Sequence, residues 1–248
     1  ETLGPVAHNQ HLVQELAKAG IRPVNNLEQV QGQVLAITTH GVSPEVLSEI
    51  EARRIHIIDA TCPIVRKAQT KARELAMADF DVIIFGEAAH SEVKGLLGWA
   101  NNKGIATLDA KELNASGKSL HHLGVISQTT QSQTAFAEFI AQLMLTLPSK
   151  LKEMRIINTL CQAMQRRQEA ALKLAKKVEL MIVVGGHNSA NTRYLAETCS
   201  LWVETHLVEN ADELDGSWLV GKHRVGVTAG ASTPIKAIDE VTAKLSSL

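Results

Sequence analysis

The stretch Met181-Ile182-Val183-Val184-Gly185-Gly186-His187-Asn188-Ser189-Ala190-Asn191 reads as a short apolar strand, a glycine turn, a polar loop and the first turn of a helix. A continuous apolar run bounded by glycine, with no polar alternation, is the pattern of a strand buried on both faces of a parallel sheet. Two further stretches repeat it. Leu35-Ala-Ile-Thr-Thr-His40-Gly-Val-Ser-Pro44 and Val82-Ile-Ile-Phe-Gly-Glu-Ala-Ala-His90-Ser-Glu92 each run from an apolar strand through a polar loop to a helix start. Each is followed by a later strand that ends in small polar residues: Ile57-Ile-Asp-Ala-Thr-Cys62-Pro, Gly124-Val-Ile-Ser-Gln-Thr129-Thr130, and Val225-Gly-Val-Thr-Ala-Gly-Ala-Ser232-Thr-Pro.

Working outward, strands alternate with amphipathic helices along the chain, with helices expected over 11–19, 44–53, 65–77, 92–99, 134–144, 164–177, 191–198 and 234–245. Gly20 is placed as a helix C′ residue, and Ser43 as an N-cap before Pro44. The fold class is therefore α/β: three related units with mainly parallel sheets, arranged pseudo-threefold around a central cleft. The expected boundaries are 1–62, 63–159 and 160–248. Ligands of parallel α/β sheets bind beyond the carboxyl ends of the strands, which directs attention to these loops.

The 25 basic and 26 acidic residues leave no electrostatic bias towards nucleic acid or anionic membranes, so the expected partner is a small molecule. No apolar run approaches the roughly 18 to 20 residues that cross a bilayer. Aromatics make up 3% of the chain, too few for base-stacking platforms. No signal peptide is visible, and Cys62, Cys161 and Cys199 are too far apart for a secreted disulfide framework, which points to the cytoplasm. The chain opens at Glu1 inside an apparent strand, 1–3, without methionine, so a preceding segment is expected.

His8, His40 and His90 fall at strand-to-helix junctions, where helix amides favour anions and imidazole adds a hydrogen-bond donor or a charge. Glu92 follows His90 by two residues. His56, His121, His122, His206 and His223 lack such a setting and read as surface or strand-end groups. Asn188-Ser189-Ala190-Asn191 offers amides, a hydroxyl and a carboxamide at a helix start, a set suited to phosphate without a Walker lysine. Ser232 offers another hydroxyl. Cys62 and Cys161 each precede a helix without a neighbouring cysteine, which excludes a zinc ribbon or a ferredoxin run but allows ligation of a cluster from separate directions, a third ligand being expected from the first unit. Cys199, late in its helix, reads as core packing.

Together, His8-Asn9 after Leu-Gly-Pro, Thr39-His40-Gly-Val, Asp59-Ala-Thr-Cys62-Pro, His90-Ser-Glu92-Val with Gly95, Ser127-Gln-Thr129-Thr130, Arg167-Gln-Glu-Ala, Gly-Gly-His-Asn188-Ser189-Ala-Asn191-Thr and Thr228-Ala-Gly-Ala-Ser232 resemble the 4-hydroxy-3-methylbut-2-enyl diphosphate reductase family, in family order. The resemblance implies the last step of the non-mevalonate route to isopentenyl and dimethylallyl diphosphates, an oxidoreductase of isoprene biosynthesis. It implies an iron–sulfur cluster ([4Fe-4S]) held by three cysteines, of which Cys62 and Cys161 match two. It also implies diphosphate binding by His8, His40, His90, Ser189, Asn191 and Ser232 with the Ala190 amide, proton delivery by Glu92, substrate orientation by Thr129, and ferredoxin or flavodoxin as electron donor.

The family's first cysteine belongs to a Gly-Phe-Cys type motif on an N-terminal strand that this sequence does not include, so the third ligand is expected there. Met164 stands where the family has threonine or serine, and Arg166 is a further point of variation. Two alternatives stay open: a non-catalytic, apo diphosphate-binding fragment, and a diphosphate hydrolase with a zinc-like ion on His8, His40, His90 and Glu92.

Overall fold

The computed structural model describes residues 1–6, 10–115, 121–146 and 151–247. It contains three wholly parallel sheets. The first is formed by β1 (Thr2–Leu3), β2 (Pro23–Val24), β3 (Val34–Ile37) and β4 (His56–Asp59), in the order β2-β1-β3-β4. The second, of β5 (Asp81–Phe85), β6 (Ile105–Thr107), β7 (His122–Ser127) and β8 (Glu153–Ile156), runs β6-β5-β7-β8. The third, of β9 (Leu180–Val184), β10 (Thr205–Val208) and β11 (Val225–Ala229), runs β10-β9-β11.

The helices are α1 (Gln10–Lys18), α2 (Pro44–Ala52), α3 (Pro63–Met77), α4 (Ser91–Trp99), α5 (Lys111–Ala115), α6 (Gln133–Thr146), α7 (Gln162–Ala175), α8 (Ala190–Ser200) and α9 (Ile235–Ser247). Ser43 caps α2 with Pro44 in its first turn, as the sequence predicts. The short α5, β2, β6 and β10 are additions to the sequence reading; five residues or fewer carry no clear periodicity. The chain divides into two compact units, one of Glu1–Gly4 with Pro23–Cys161 and the other of Pro5–Arg22 with Gln162–Leu248.

In the second and third sheets a strand buried on both faces, β5 or β9, organises the core. Ile83 and Phe85 of β5 enter one apolar cluster with Phe136 and Phe139 of α6, while Val82 and Ile84 enter another with α3 and α4. On β9, Met181 and Val183 pack with α7 and α8, and Leu180, Ile182 and Val184 pack with Val241 of α9. Cys199 lies in the first of these two clusters, fully buried, in agreement with its packing role. Val65, Ala68, Gln69, Ala72 and Leu75 form the buried stripe of α3, spaced as one helix face requires.

All three sheets share one order, second strand, first strand, third strand, with a fourth in the first two. This order corrects the equivalence drawn from sequence. By sheet position β3, which precedes His40, corresponds to β7 and β11, and the counterpart of β5 and β9 is β1. β1 has two residues and gives no periodic signal, so the more visible β3 took its place. The fourth strands β4 and β8 lead to Cys62 and Cys161. Among the described residues the third sheet has no fourth strand. Cys62 and Cys161 each follow the last strand of a four-stranded sheet.

Candidate active site

In the compact unit that includes β1 to β8, the candidate residues occupy loops at the carboxyl ends of strands. His40 follows β3, and Gly41 turns the chain at φ 66°, a conformation that favours glycine. A Cβ there would also press on the Gln69 carboxamide and the Thr61 methyl. The next carbonyl, of Val42, accepts from the Trp99 indole at 2.9 Å and from the Gln69 carboxamide at 3.4 Å. These two residues, unnoticed in the sequence, tie the His40 loop to α3 and α4. Their signal was present: a glutamine on the apolar stripe of α3 is a polar group that must find a partner.

α4 carries the opposite wall. His90 is its N-cap, and its Nδ1 accepts the Glu92 amide at 3.1 Å, which leaves the proton on Nε2 of a neutral ring. The His40 and His90 rings meet edge to face with centroids 5.2 Å apart. Glu92, in the first turn of α4, is 1% exposed. Its Oε1 accepts the Thr129 amide at 2.6 Å and its Oε2 accepts the Thr129 hydroxyl at 3.0 Å. Burial disfavours the carboxylate and outweighs both Thr129 bonds, raising the Glu92 pKa from an ordinary 4.5 to about 7. Glu92 and Thr129 are therefore one hydrogen-bonded pair.

Cys62 is the N-cap of α3, with Pro63 in the first turn and no side-chain cap bond. Its amide donates to the Thr39 carbonyl at 3.0 Å, next to His40. The Cys161 amide donates to the Thr129 carbonyl at 2.8 Å. Both thiols are free and half-buried. Each candidate cysteine is thus bonded through its backbone to a loop that bears a candidate substrate or proton residue.

The other compact unit supplies its own group. Ser189 caps α8, its hydroxyl accepting the Thr192 amide at 3.3 Å, and the helix opens at Ala190. Asn191 has both side-chain polar atoms buried without a hydrogen-bond partner among the described residues. Such atoms carry a desolvation cost unless a ligand pairs with them. Gly185 and Gly230 flank Thr192, whose side chain would lie within 3.0 Å of a Cβ at either position. Ser232 follows Gly230 and is exposed. Met164 is buried on α7 beside Gln168, whose Nε2 is also buried without a partner. Arg166 is exposed on that helix. His8 lies outside the described residues.

The zinc alternative places its ion on His8, His40, His90 and Glu92, and His8 lies outside the described residues. Among the described residues a set of three ligand atoms within 4.8 Å of one another is formed by His187, Glu209 and Glu213, where His187 Nε2 meets Glu213 at 2.8 Å.

Comparison with known proteins gives one answer. The family model described as LytB protein matches residues 1–246. Among curated relatives, a protein of Dehalococcoides mccartyi named 4-hydroxy-3-methylbut-2-enyl diphosphate reductase is 44% identical over 248 residues, covering 100% of this chain and 87% of the relative. One of the same name from Geobacter sulfurreducens is 40% identical over 98% of this chain and 85% of its own length. Of solved structures, a 4-hydroxy-3-methylbut-2-enyl diphosphate reductase described as the terminal enzyme of the non-mevalonate pathway aligns with TM-score 0.72 and 34% identity over 100% of this chain and 88% of that one. The Plasmodium falciparum reductase aligns with TM-score 0.90 and 25% identity over 99% and 77%. The order of the motifs, the three parallel sheets and these matches lead to one conclusion: the chain belongs to the LytB protein family, whose named members here are 4-hydroxy-3-methylbut-2-enyl diphosphate reductases.

Proposed function

We propose that the chain reduces 4-hydroxy-3-methylbut-2-enyl diphosphate to isopentenyl and dimethylallyl diphosphates, losing the allylic hydroxyl as water. The observation that carries the reading is the buried Glu92 carboxyl, with a pKa of about 7, bonded to Thr129, whose carbonyl holds the Cys161 amide. A carboxyl balanced between its two forms near neutrality can give a proton and be reloaded, which general acid chemistry requires.

Free, half-buried thiols at Cys62 and Cys161, each adjacent to a strand end, fit two ligands of an iron–sulfur cluster. When bound, the cluster supplies electrons and a Lewis-acidic iron. In this reading Glu92 delivers the proton that turns the departing hydroxyl into water, and the Thr129 hydroxyl orients the substrate beside it. His40 and His90 donate to the diphosphate, as does His8. Ser189, the Ala190 amide, Asn191 and Ser232 are its neutral donors, and the unpaired buried atoms of Asn191 support that assignment. A ferredoxin or flavodoxin gives the electrons, in the cytoplasm. The division into three α/β units at 1–62, 63–159 and 160–248 remains part of the same proposal.

Anaerobic reconstitution with iron and sulfide, followed by metal analysis, tests the reading. The expected result is iron with acid-labile sulfide, a broad absorbance around 400 nm, and consumption of the substrate under reducing conditions. Stoichiometric zinc in place of iron overturns it. Diphosphate binding with no cluster and no turnover selects the apo fragment instead.

A further inference from the structure

The parallel pairing of β7 with β8 ends at Val125 opposite Ile156, yet the two segments stay together for five more residues. The Ile157 amide donates to the Val125 carbonyl at 2.9 Å, and the Cys161 amide donates to the Thr129 carbonyl at 2.8 Å. Residues 157, 159 and 161 thus answer 125, 127 and 129 at the two-residue period of a strand pair. The middle rung is not made by backbone. The Thr159 hydroxyl donates to the Ser127 carbonyl at 2.6 Å and accepts the Ser127 amide at 2.9 Å. With its one proton committed to that carbonyl, the Thr159 oxygen must also accept from the Ser127 hydroxyl, 3.1 Å away.

One hydroxyl therefore satisfies every polar group of Ser127. Both residues are buried, Ser127 at 0% and Thr159 at 3% exposure, so water cannot replace the lost partner. The next rung on this ladder joins Cys161 to Thr129, and Thr129 holds Glu92 by amide and hydroxyl.

We infer that Thr159 is a positioning residue: its hydroxyl substitutes for a backbone rung between two strand ends and so sets Cys161 in register with the Thr129–Glu92 pair. The roles of Cys161 as a ligand and of Glu92 as a proton donor rest on the function proposed above. The register itself rests on the hydrogen bonds alone.

The test compares Thr159→Val, which keeps the shape and removes the hydroxyl, with Thr159→Ser, which keeps the hydroxyl. Amide hydrogen exchange is followed at Cys161 and Thr129, with β9 as the internal reference. Thr159→Val is expected to speed exchange at Cys161 and Thr129 by roughly tenfold or more, the scale of a buried unsatisfied group. β9 should keep its wild-type rates, and Thr159→Ser should stay within about twofold of wild type. Ser127→Ala, which removes the one hydroxyl that is not part of the rung, should also leave Cys161 protected.

In reconstituted protein, Thr159→Val is expected to lower iron per chain and to move the pH midpoint of turnover upward, because weaker Thr129 bonds stabilise the Glu92 carboxylate less. Unchanged exchange at Cys161 overturns the proposal, as does a loss of protection that is uniform through β9, or a failure of Thr159→Ser to restore it. If exchange responds as stated while wild-type protein takes up no iron, the positioning stands and the cluster reading falls.

Discussion

At the residue scale the decisive group is Glu92. A carboxyl with a folded pKa of about 7 and an ordinary value of 4.5 is held neutral by the fold, so folding is favoured while the group is protonated and disfavoured once it ionises. Its contribution is complete below about pH 4.5 and is lost as pH rises through about 7. That interval corresponds to about 3 kcal/mol between the two limits. Glu92→Gln keeps a neutral side chain able to accept the Thr129 amide, so it should remove this part of the pH dependence and leave the variant more stable than wild type at pH 8. Urea unfolding at pH 5 and pH 8 measures it; equal slopes in both proteins would refute a buried neutral carboxyl. Turnover in the same variant should drop by a factor of about a hundred or more, the usual size of a lost general acid. Asn191 offers a second residue-scale expectation. Replacing its two unpaired buried atoms with an apolar side chain, Asn191→Leu, should leave the free protein as stable or stabilise it by about 1 kcal/mol while weakening pyrophosphate binding at least about tenfold. Calorimetric titration and thermal melts decide it, and unchanged affinity would remove Asn191 from the diphosphate set.

At the element scale, the tight approach of α4 to the loop after β3 is specified by glycine. A Cβ on Gly98 would overlap the Ser43 Cβ, whereas one on Gly95 meets nothing closer than the Val42 backbone at 3.6 Å. Alanine improves helix propensity by up to about 1 kcal/mol at either position, but only Gly98 must pay in overpacking, typically about 1–3 kcal/mol. Gly95→Ala is therefore expected to be neutral or stabilising and Gly98→Ala destabilising; the reverse order in denaturant midpoints would show that α4 does not press on Ser43. This packing was not legible in the sequence, because it depends on which loop lies across the helix. What the sequence disclosed were the elements with strong local signals. The expected helix over 92–99 is Ser91–Trp99, that over 44–53 is Pro44–Ala52, and that over 134–144 is Gln133–Thr146. The candidate residues with chemistry of their own, His40, His90, Glu92, Thr129 and the cysteines, were legible as well. Gln69, Trp99 and Thr159 were not, since their importance lies in backbone groups distant in sequence that they satisfy.

At the scale of the whole molecule, repetition explains where the chemistry collects. Three sheets with the same strand order direct the ends of their first and third strands into loops that bear His40, His90 and Thr129 in one compact unit, and Ser189 and Ser232 in the other. Among the described residues no helix is long and apolar enough to cross a membrane, and the formal net charge is −1, so long-range attraction does little to gather an anionic substrate. The proposed diphosphate donors are imidazoles, hydroxyls, a carboxamide and helix amides, with no lysine or arginine among them. Short-range hydrogen bonds between partly buried groups are weakly screened compared with exposed cations acting over a Debye length of about 10 Å at 0.1 M salt. Pyrophosphate affinity should accordingly change by less than about threefold between 50 mM and 500 mM sodium chloride. Calorimetric titration at the two salt concentrations measures this. A fall of tenfold or more would mean that exposed lysine or arginine side chains carry the binding, and would displace Ser189 and Asn191 from their assigned role.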